Sequence, residues 1–276
     1  MSLRNLFPTS GLPATGGPAG QEVAWLFGDS LENYRRRGGH PVYGENDIAY
    51  RFNSLGYRCP EFDVEAGIRI VTVGCSYVLG QALPQPAVFP ELFAEQLRRV
   101  STKKVVVWNL AKCGASNDYI SRLLYLAIPR LDPQIVLINF THGARREYLS
   151  VQDRLITYNP TFVPSDEVTK GIFNQFAALS SPFDDQLNFF KNYKAVESLL
   201  AGRQWLFSHI RPQEFEPIAA HLNLSRYAGP LLIVDRARDG GHPGPESHRR
   251  LAELYWAKFN EHGGLSPLRQ IARREP

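Results

Sequence analysis

The chain has 276 residues, 43% of them hydrophobic and 21% charged, with a formal net charge of +4 and a pI near 9.0. This length and composition are typical of a globular protein with one substantial core, although two small domains would also fit the length. The basic residues are scattered and no apolar run approaches the roughly 18 residues that cross a bilayer, so we expect neither nucleic-acid binding nor a membrane span.

The first 66 residues show no pattern of an independent fold. Residues 1–20 are rich in glycine and proline and lack the apolar run of a signal peptide, which predicts a flexible leader. The stretch "NDIAYRFNSLGYR" alternates apolar and polar residues, so we expect residues 1–66 to form an extension that packs on the main domain. We expect that domain to span 67–260 and to be followed by a C-terminal tail, 261–276.

The cysteines show no metal-ligand spacing. The chain has an odd number of cysteines, namely Cys59, Cys75 and Cys113. Free thiols in a reducing compartment are the simplest interpretation. We therefore expect a cytoplasmic protein, and we predict neither a metal nor a cofactor.

From residue 68 onward, short β-branched runs alternate with segments of helical spacing. The predicted strands are 68–74, 104–110, 134–140, 203–209 and 230–235, and the predicted helices are 88–100, 117–131, 184–200, 212–223 and 245–259. Ser116 fits the N-cap of the second helix, and Ser181 or Asp184 that of the third. The alternation predicts an α/β fold, a three-layer α/β/α sandwich with a five-stranded, mainly parallel sheet. Such sheets bind ligands beyond the carboxyl ends of their strands.

Residues from about 150 to 183 interrupt this pattern. They have no strand period and carry several aromatic residues between the third strand and its return helix. Such an insertion would either form a lid over a pocket or lie on the surface, packed by its own aromatics.

Two serines raise the question of a nucleophile. "WLFGDSLENY" (25–34) contains the four letters Gly-Asp-Ser-Leu that name a class of serine esterases, and "IRIVTVGCSYVLGQALP" (68–84) also presents a serine shortly after a glycine. Ser76 follows an unbroken apolar strand and precedes a turn into a helix, which puts its hydroxyl at the carboxyl edge of the sheet. Ser30 lacks this context, so we interpret it as an N-cap or turn serine beside Asp29. Ser76 is the predicted nucleophile.

A base for this serine follows the fifth predicted strand, in "VDRARDGGHPGPESH" (234–248). Asp239 and His242 are three residues apart in a glycine-rich loop. A carboxylate that holds one imidazole N–H fixes the tautomer and leaves the other nitrogen to take the serine proton. An isolated histidine in such a loop would be an ordinary surface residue, but together with Ser76 the pattern predicts a catalytic triad.

These segments resemble the SGNH, or GDSL-type, hydrolases over residues of about 48 to 260. "GCSYVLG" is similar to the family's first block, "NLAKCGASN" (109–117) to its second and "DGGHPG" (239–244) to its last. "RFNSLGYRCPEF" (51–62) resembles the Asn-Ser-x-Gly-[Phe/Tyr]-Arg segment that often precedes the catalytic domain in bacterial and phage members. The resemblance implies a flavodoxin-like SGNH fold.

The resemblance also implies a role for each matched residue. Ser76 would be the nucleophile, His242 the general base and then acid, and Asp239 its orienter. The backbone N–H groups of Ser76 and Gly114 would form part of the oxyanion hole, since a glycine suits a turn that offers its amide inward. Gly114 as a plain turn glycine is the alternative.

The sequence departs from the family pattern in two places. Cys75 stands where the family usually has Asp, and we interpret it as a small buried hydrophobe. His142 stands where the third block of the family has an Asn that donates a hydrogen bond to the oxyanion hole. The His142 imidazole would donate that hydrogen bond instead or contact the substrate, and a purely structural histidine is the alternative. Asn139, within the strand, is expected to be a packed and satisfied amide. Arg145 would meet an anionic substrate or lie at a solvated helix start.

The leading hypothesis is a serine hydrolase that cleaves an ester or related acyl bond through an acyl-enzyme intermediate. An acyltransferase with the same triad is one alternative, and a catalytically degenerate binding protein of the same fold is another. The expected partner is a small-molecule or glycan acyl substrate.

Overall fold

The computed structural model describes residues 6–9, 11–15, 17–65, 67–149 and 155–266. The strands are β1 (Glu22–Val23), β2 (Tyr50–Arg51), β3 (Ile68–Val73), β4 (Val105–Asn109), β5 (Ile135–Phe140), β6 (Arg146–Leu149), β7 (Leu155–Tyr158), β8 (Gln204–His209) and β9 (Tyr227–Pro230). The α-helices are α1 (Leu31–Arg36), α2 (Ser76–Leu79), α3 (Phe89–Val100), α4 (Asn117–Leu131), α5 (Glu167–Leu179), α6 (Pro182–Leu199) and α7 (Pro245–Glu261). Among the described helices, none is both long enough and apolar enough to cross a membrane.

The main sheet has five parallel strands in the order β4-β3-β5-β8-β9. Successive side chains of a strand point to opposite faces, and the two cores follow that rule. Ile70 packs into the core that α3 and α7 cover, whereas the adjacent Val71 packs into the core that α4 and α6 cover. The predicted three-layer α/β/α sandwich is therefore confirmed, with the strand order of flavodoxin-like sheets and β3 and β5 at its centre.

The predicted helix starts are confirmed at two caps. The Ser116 hydroxyl accepts the N–H of Tyr119 at 3.1 Å, and that of Ser181 accepts the N–H of Asp184 at 3.1 Å. Because Ser181 is the cap, α6 begins at Pro182 rather than at residue 184.

The predicted bounds of the fifth strand were wrong, by three residues at the start and by five at the end. β9 covers 227–230 instead of 230–235, and its Pro230 pairs with His209, the last residue of β8. Since β8 ends there, the apolar run from 231 to 234 has no neighbouring strand to pair with, and Leu232, Ile233 and Val234 are exposed.

The predicted helix over 212–223 was also wrong. The structure has short 3₁₀ segments at 212–214 and 216–221. Pro217 lies in the interior of the predicted helix, where it lacks the N–H that an α-helix needs and clashes with the preceding turn.

The insertion contains a strand, contrary to the prediction. β7 pairs with β6 as an antiparallel hairpin, and α5 follows; residues 150–154 lie outside the described residues. Tyr148 stacks on Phe176 with ring centroids 3.9 Å apart, and Tyr158 contacts both Phe173 and Phe176. These contacts fit the alternative of a surface insertion packed by its own aromatics.

The described part of the leader contacts residues of the 51–62 segment. Leu12 is buried, Tyr57 donates to the Pro13 carbonyl at 2.8 Å, and Thr15 donates to the Gly56 carbonyl at 2.7 Å. The predicted flexibility of the leader stays a prediction, and the C-terminal tail from residue 267 lies outside the described residues.

Candidate functional site

A tight turn between β3 and α2 places Ser76 at the carboxyl end of a central strand. A Cβ on Gly74 would lie 2.3 Å from the Val78 Cγ2 and 3.0 Å from the Asn139 carbonyl oxygen. These distances are too short for a side chain, so the turn requires glycine at this position. Cys75 is the N-cap of α2 and is fully buried, which confirms its interpretation as a small core residue. Ser76, the first residue of the helix, is itself nearly buried.

The predicted triad residues lie together. The Ser76 Oγ is 2.9 Å from the His242 Nε2, and the His242 Nδ1 is 2.5 Å from the Asp239 Oδ2. Asp239 and His242 belong to the loop between β9 and α7, at the same edge of the sheet as Ser76. Three groups separated by up to 166 positions thus form one continuous hydrogen-bonded chain.

The Asp239 carboxylate is fixed on both oxygens. Its Oδ1 accepts the N–H groups of Gly241 and His242, each at 3.0 Å, while its Oδ2 faces the imidazole. Burial alone would raise the pKa of Asp239, but the hydrogen bond and charge of His242 and these two amides outweigh it and hold the pKa below its ordinary value. An ionised Asp239 accepts Nδ1–H, which leaves the His242 Nε2 as the acceptor for the serine proton.

Two neighbours of the triad were not identified from the sequence. Gln81 Nε2 donates to the Asp239 Oδ2 at 3.4 Å, and its Oε1 accepts the Cys113 thiol at 3.1 Å. The Tyr77 ring lies edge-on against the His242 imidazole, with centroids 5.6 Å apart. Neither residue belongs to a spacing pattern, so the sequence carried no signal for them.

Gly114 lies in the turn that follows β4. Its φ of +70° is in the left-handed region that favours glycine, and a Cβ there would meet nothing within 4 Å, so the residue borders open space. In the described part of the chain, neither its N–H nor that of Ser76 donates to another residue. Both amides are therefore free for a ligand oxygen, while their shared role in an oxyanion hole stays a prediction.

His142 is held by a carboxylate. Its Nδ1 lies 3.0 Å from the Glu214 Oε1, and the second oxygen of Glu214 accepts the Gly143 N–H at 2.9 Å. Burial would raise the pKa of Glu214, but His142 and the Gly143 amide hold it below its ordinary value. No hydrogen bond among the described residues joins His142 to Ser76 or His242.

Arg145 lies beside the Gly114 turn. Its Nη1 donates to the Thr141 hydroxyl at 2.8 Å and contacts the Ala115 carbonyl at 3.4 Å, whereas its Nε is buried without a hydrogen-bond partner. The alternative of a solvated helix start is wrong, because Arg146 begins strand β6.

The prediction for Asn139 holds only in part. The residue is fully buried in β5, and its Nδ2 donates to the Ser208 hydroxyl at 3.1 Å. Its Oδ1 has no hydrogen-bond partner, so the amide is packed but not fully satisfied.

The serine of the literal Gly-Asp-Ser-Leu segment is not the one that faces His242. Ser30 is the N-cap of α1 and its Oγ accepts the Asn33 N–H at 3.2 Å, which confirms the interpretation as a capping residue. Its neighbour Asp29 forms an ion pair with Arg238, and both side chains are fully buried.

No protein-family model matches the chain, and no curated protein matches it either. Among solved structures, it is similar to TesA, with 15% identity, a TM-score of 0.46 and coverage of 70% of this chain and 98% of that one. It is also similar to the psychrotrophic esterase EstA from Pseudoalteromonas sp., with 12% identity, a TM-score of 0.44 and coverage of 70% of this chain and 97% of that one. The lipase Lip_vut3 from a goat rumen metagenome is similar as well, with 11% identity, a TM-score of 0.45 and coverage of 69% of this chain and 97% of that one. Similarity at this level does not identify an activity, which has to be inferred from the residues of the site.

Proposed function

We propose that the protein is a serine hydrolase that cleaves an ester or related acyl bond through an acyl-enzyme on Ser76. The observation that carries the proposal is the hydrogen-bonded chain from the Ser76 hydroxyl through His242 to the buried Asp239 carboxylate. A serine hydroxyl is a weak nucleophile on its own, and this arrangement is the one that activates it.

The reaction would proceed in two halves. The Ser76 Oγ attacks the acyl carbon while the His242 Nε2 takes its proton, and the Asp239 carboxylate stabilises the imidazolium that forms. The Ser76 and Gly114 amides donate to the oxyanion, each such donor being worth about 10²–10³ in rate. His242 then protonates the leaving oxygen, and an alcohol departs. In the second half, His242 takes a proton from a water that attacks the acyl carbon. His242 then returns this proton to the Ser76 Oγ as the acyl–oxygen bond breaks, which releases the acid and restores the Ser76 hydroxyl.

Arg145 is the proposed contact for an anionic group of a small-molecule or glycan acyl substrate. Its buried Nε has no acceptor in the described chain, and its Nη1 lies beside the residue that follows Gly114. A second guanidinium, that of Arg236, donates to the Gly241 carbonyl at 2.9 Å, next to His242. Burial raises the pKa of Tyr77, and the positive charges of Arg145, Arg236 and Arg211 oppose that rise, which supports a basic rim on the triad.

The decisive experiment is labelling with a fluorophosphonate probe, combined with hydrolysis of short aryl esters. We expect the wild-type protein to be labelled on Ser76 and to release acid and alcohol, and we expect Ser76→Ala to lose both. Ser30→Ala, the matched control, should keep both. Ester hydrolysis at the wild-type rate by Ser76→Ala would overturn the proposal, and transfer of the acyl group to an added alcohol in preference to water would identify an acyltransferase.

The same assay tests the role of Arg145. We expect Arg145→Gln to lower kcat/KM about 10- to 150-fold for an ester that carries a carboxylate, since a lost charge-assisted hydrogen bond costs about 1.5–3 kcal/mol. A neutral ester of the same shape should be hydrolysed as before. An equal loss for both esters would contradict a specific contact with the anion.

A further inference from the structure

A buried polar network joins the N-terminal segment to the residue before Asp239 and to the helix that begins at Ser76. Its members, which we call the N-terminal clamp, are Asp29, Tyr50, Arg58 and Arg238, and each side chain is buried. Two of the four are guanidiniums, a group that is rarely buried in full unless it is paired. Three connections link these residues, from the segment that carries Asp239 to the helix that begins at Ser76.

The first connection is the ion pair of Asp29 with Arg238, the residue that directly precedes Asp239. The Arg238 Nε donates to the Asp29 Oδ1 at 3.0 Å and its Nη2 to the Oδ2 at 2.7 Å, so the pair is bidentate. The guanidinium also donates to the Ala24 carbonyl at 2.8 Å and lies 3.9 Å from the centroid of the Trp25 ring. Arg238 is thereby fixed on several sides by residues of the N-terminal segment.

The second connection passes through Tyr50. Its hydroxyl donates to the Asp29 Oδ2 at 2.5 Å and accepts the Ala82 N–H at 2.7 Å, while the Ala82 carbonyl accepts the Arg238 N–H at 3.1 Å. Ala82 has a φ of +63°, a conformation that a residue with a Cβ adopts only when its surroundings impose it. The preceding residue is Gln81, which donates to the Asp239 carboxylate.

The third connection reaches the end of the helix that begins at Ser76. The Arg58 guanidinium lies 4.5 Å from the centroid of the Tyr50 ring. Its Nη1 donates to the carbonyls of Leu79 and Gly80 at 3.0 and 2.7 Å, and its Nη2 to that of Leu83 at 2.7 Å. Burial lowers the pKa of Arg58 to about 10, so the group stays charged at neutral pH. Arg58 therefore fixes the end of the short helix that begins at Ser76.

A network of this kind is a poor way to gain stability alone. Replacement of a buried ion pair by packed apolar residues is often neutral or stabilising, because desolvation offsets the attraction. A triad, in contrast, must be held to within about 0.5 Å, and Asp239 and His242 lie in a loop with two adjacent glycines, 240 and 241. The clamp residues act at three places: at Arg238 before Asp239, at Ala82 after Gln81, and at the end of the helix that begins at Ser76.

We propose that Asp29, Tyr50, Arg58 and Arg238 are positioning residues, which hold the Asp239 carboxylate and the Ser76 helix in register with each other. The segment that carries the literal Gly-Asp-Ser-Leu letters is thus part of the catalytic apparatus through its Asp rather than through its Ser. This inference rests on the proposed function of Ser76.

The test compares Asp29→Asn and Tyr50→Phe with Glu147→Gln. Glu147 is the matched control, because it forms a bidentate pair with Arg122 at 2.9 Å, also with little exposure, but contacts no triad residue among those described. For each variant of the full chain we would measure urea unfolding, kcat and KM on an aryl ester, and the ¹⁵N shifts of the His242 imidazole. These shifts report the tautomer and the hydrogen bond to Asp239, whether or not any ester is hydrolysed.

We expect both clamp variants to lower kcat roughly 10- to 100-fold with little change in KM, as a catalytic group displaced by about 1 Å would. The His242 shifts should move away from those of the wild type, whereas Glu147→Gln should lose stability and keep both kcat and the shifts. If Asp29→Asn does not fold, Tyr50→Phe, which removes one hydroxyl, decides alone. A folded clamp variant with wild-type kcat and wild-type shifts would overturn the proposal. If the wild type hydrolyses no ester and is not labelled on Ser76, the proposed function fails, and the shifts still decide the positioning.

Discussion

Two of the Gly-x-Ser segments in the chain show that the place of a serine in the fold decides its role where the neighbouring letters do not. Gly28-Asp29-Ser30 has the literal motif, yet the Ser30 hydroxyl accepts a hydrogen bond from the Asn33 amide of its own helix. Gly74-Cys75-Ser76 lacks the Asp, yet the Ser76 hydroxyl lies 2.9 Å from an imidazole. The difference arises from what precedes each serine.

The segment before Ser76 is a strand at the centre of the sheet, whereas the segment before Ser30 is a two-residue strand, β1, followed by a tight turn. In that turn, Leu26 and Asp29 exchange backbone hydrogen bonds across Phe27, whose φ is +53°. The turn directs the Asp29 side chain into the protein, to Arg238. The carboxyl end of β3 instead delivers Ser76 to the edge where parallel sheets bind ligands.

The sharpest way to break the comparison is to remove the general base beside Ser76 and, as the control, the side chain of Asn33 beside Ser30. We expect His242→Ala to lower kcat/KM for ester hydrolysis about 10²–10⁴-fold, because Ser76 then lacks its general base. Asn33→Ala, which removes the side chain of the residue that Ser30 caps, should leave kcat/KM unchanged. Steady-state kinetics on an aryl ester measure both, and an unimpaired His242→Ala would mean that the two segments do not differ as inferred.

The glycines give a second, smaller contrast. A Cβ at residue 74 would lie 2.3 Å from the Val78 Cγ2, whereas one at residue 28 would lie 3.6 Å from the Gln81 Nε2, an ordinary contact. We expect Gly74→Ala to lower the free energy of unfolding by about 1–3 kcal/mol through overpacking, with Gly28→Ala close to neutral. Urea unfolding of both variants checks this, and equal losses would show that the β3–α2 turn is no tighter than the turn before Ser30.

Much of the fold was predictable from the sequence, because a strand that is buried on both faces is a continuous apolar run. The carboxyl ends of parallel strands also lie at the same edge of the sheet. The same reasoning predicted which serine and which Asp-x-x-His pair would face each other. The prediction of the fifth strand failed because residues 231–234 are apolar but have no neighbouring strand. The β propensity of a segment does not show where the adjacent strand, β8, ends. The helix predicted over 212–223 failed for a local reason, since Pro217 disfavours the interior of an α-helix.

The supporting residues were beyond the reach of sequence reasoning for a physical reason. Gln81 and Asp239 are 158 positions apart, His142 and Glu214 72, and Asp29 and Arg238 209. Such pairs have no common period and no fixed spacing, because only the folded chain brings them together. A motif of adjacent letters is visible in a sequence, whereas a contact between distant polar residues is not.

The smallest expected change in stability comes from the loss of the Ser30 hydroxyl. Its hydroxyl satisfies one amide at the start of α1, a six-residue helix with no buried residue, so Ser30→Ala should cost about 0.5–1 kcal/mol of unfolding free energy. Ser30→Asp should restore that loss, because a carboxylate caps a helix as well as a hydroxyl does. Both variants should hydrolyse esters at the wild-type rate, since the residue of this segment that belongs to the N-terminal clamp is Asp29. A kcat that falls in Ser30→Ala and does not recover in Ser30→Asp would instead give the hydroxyl itself a part in the reaction, and the contrast between the two segments would be lost.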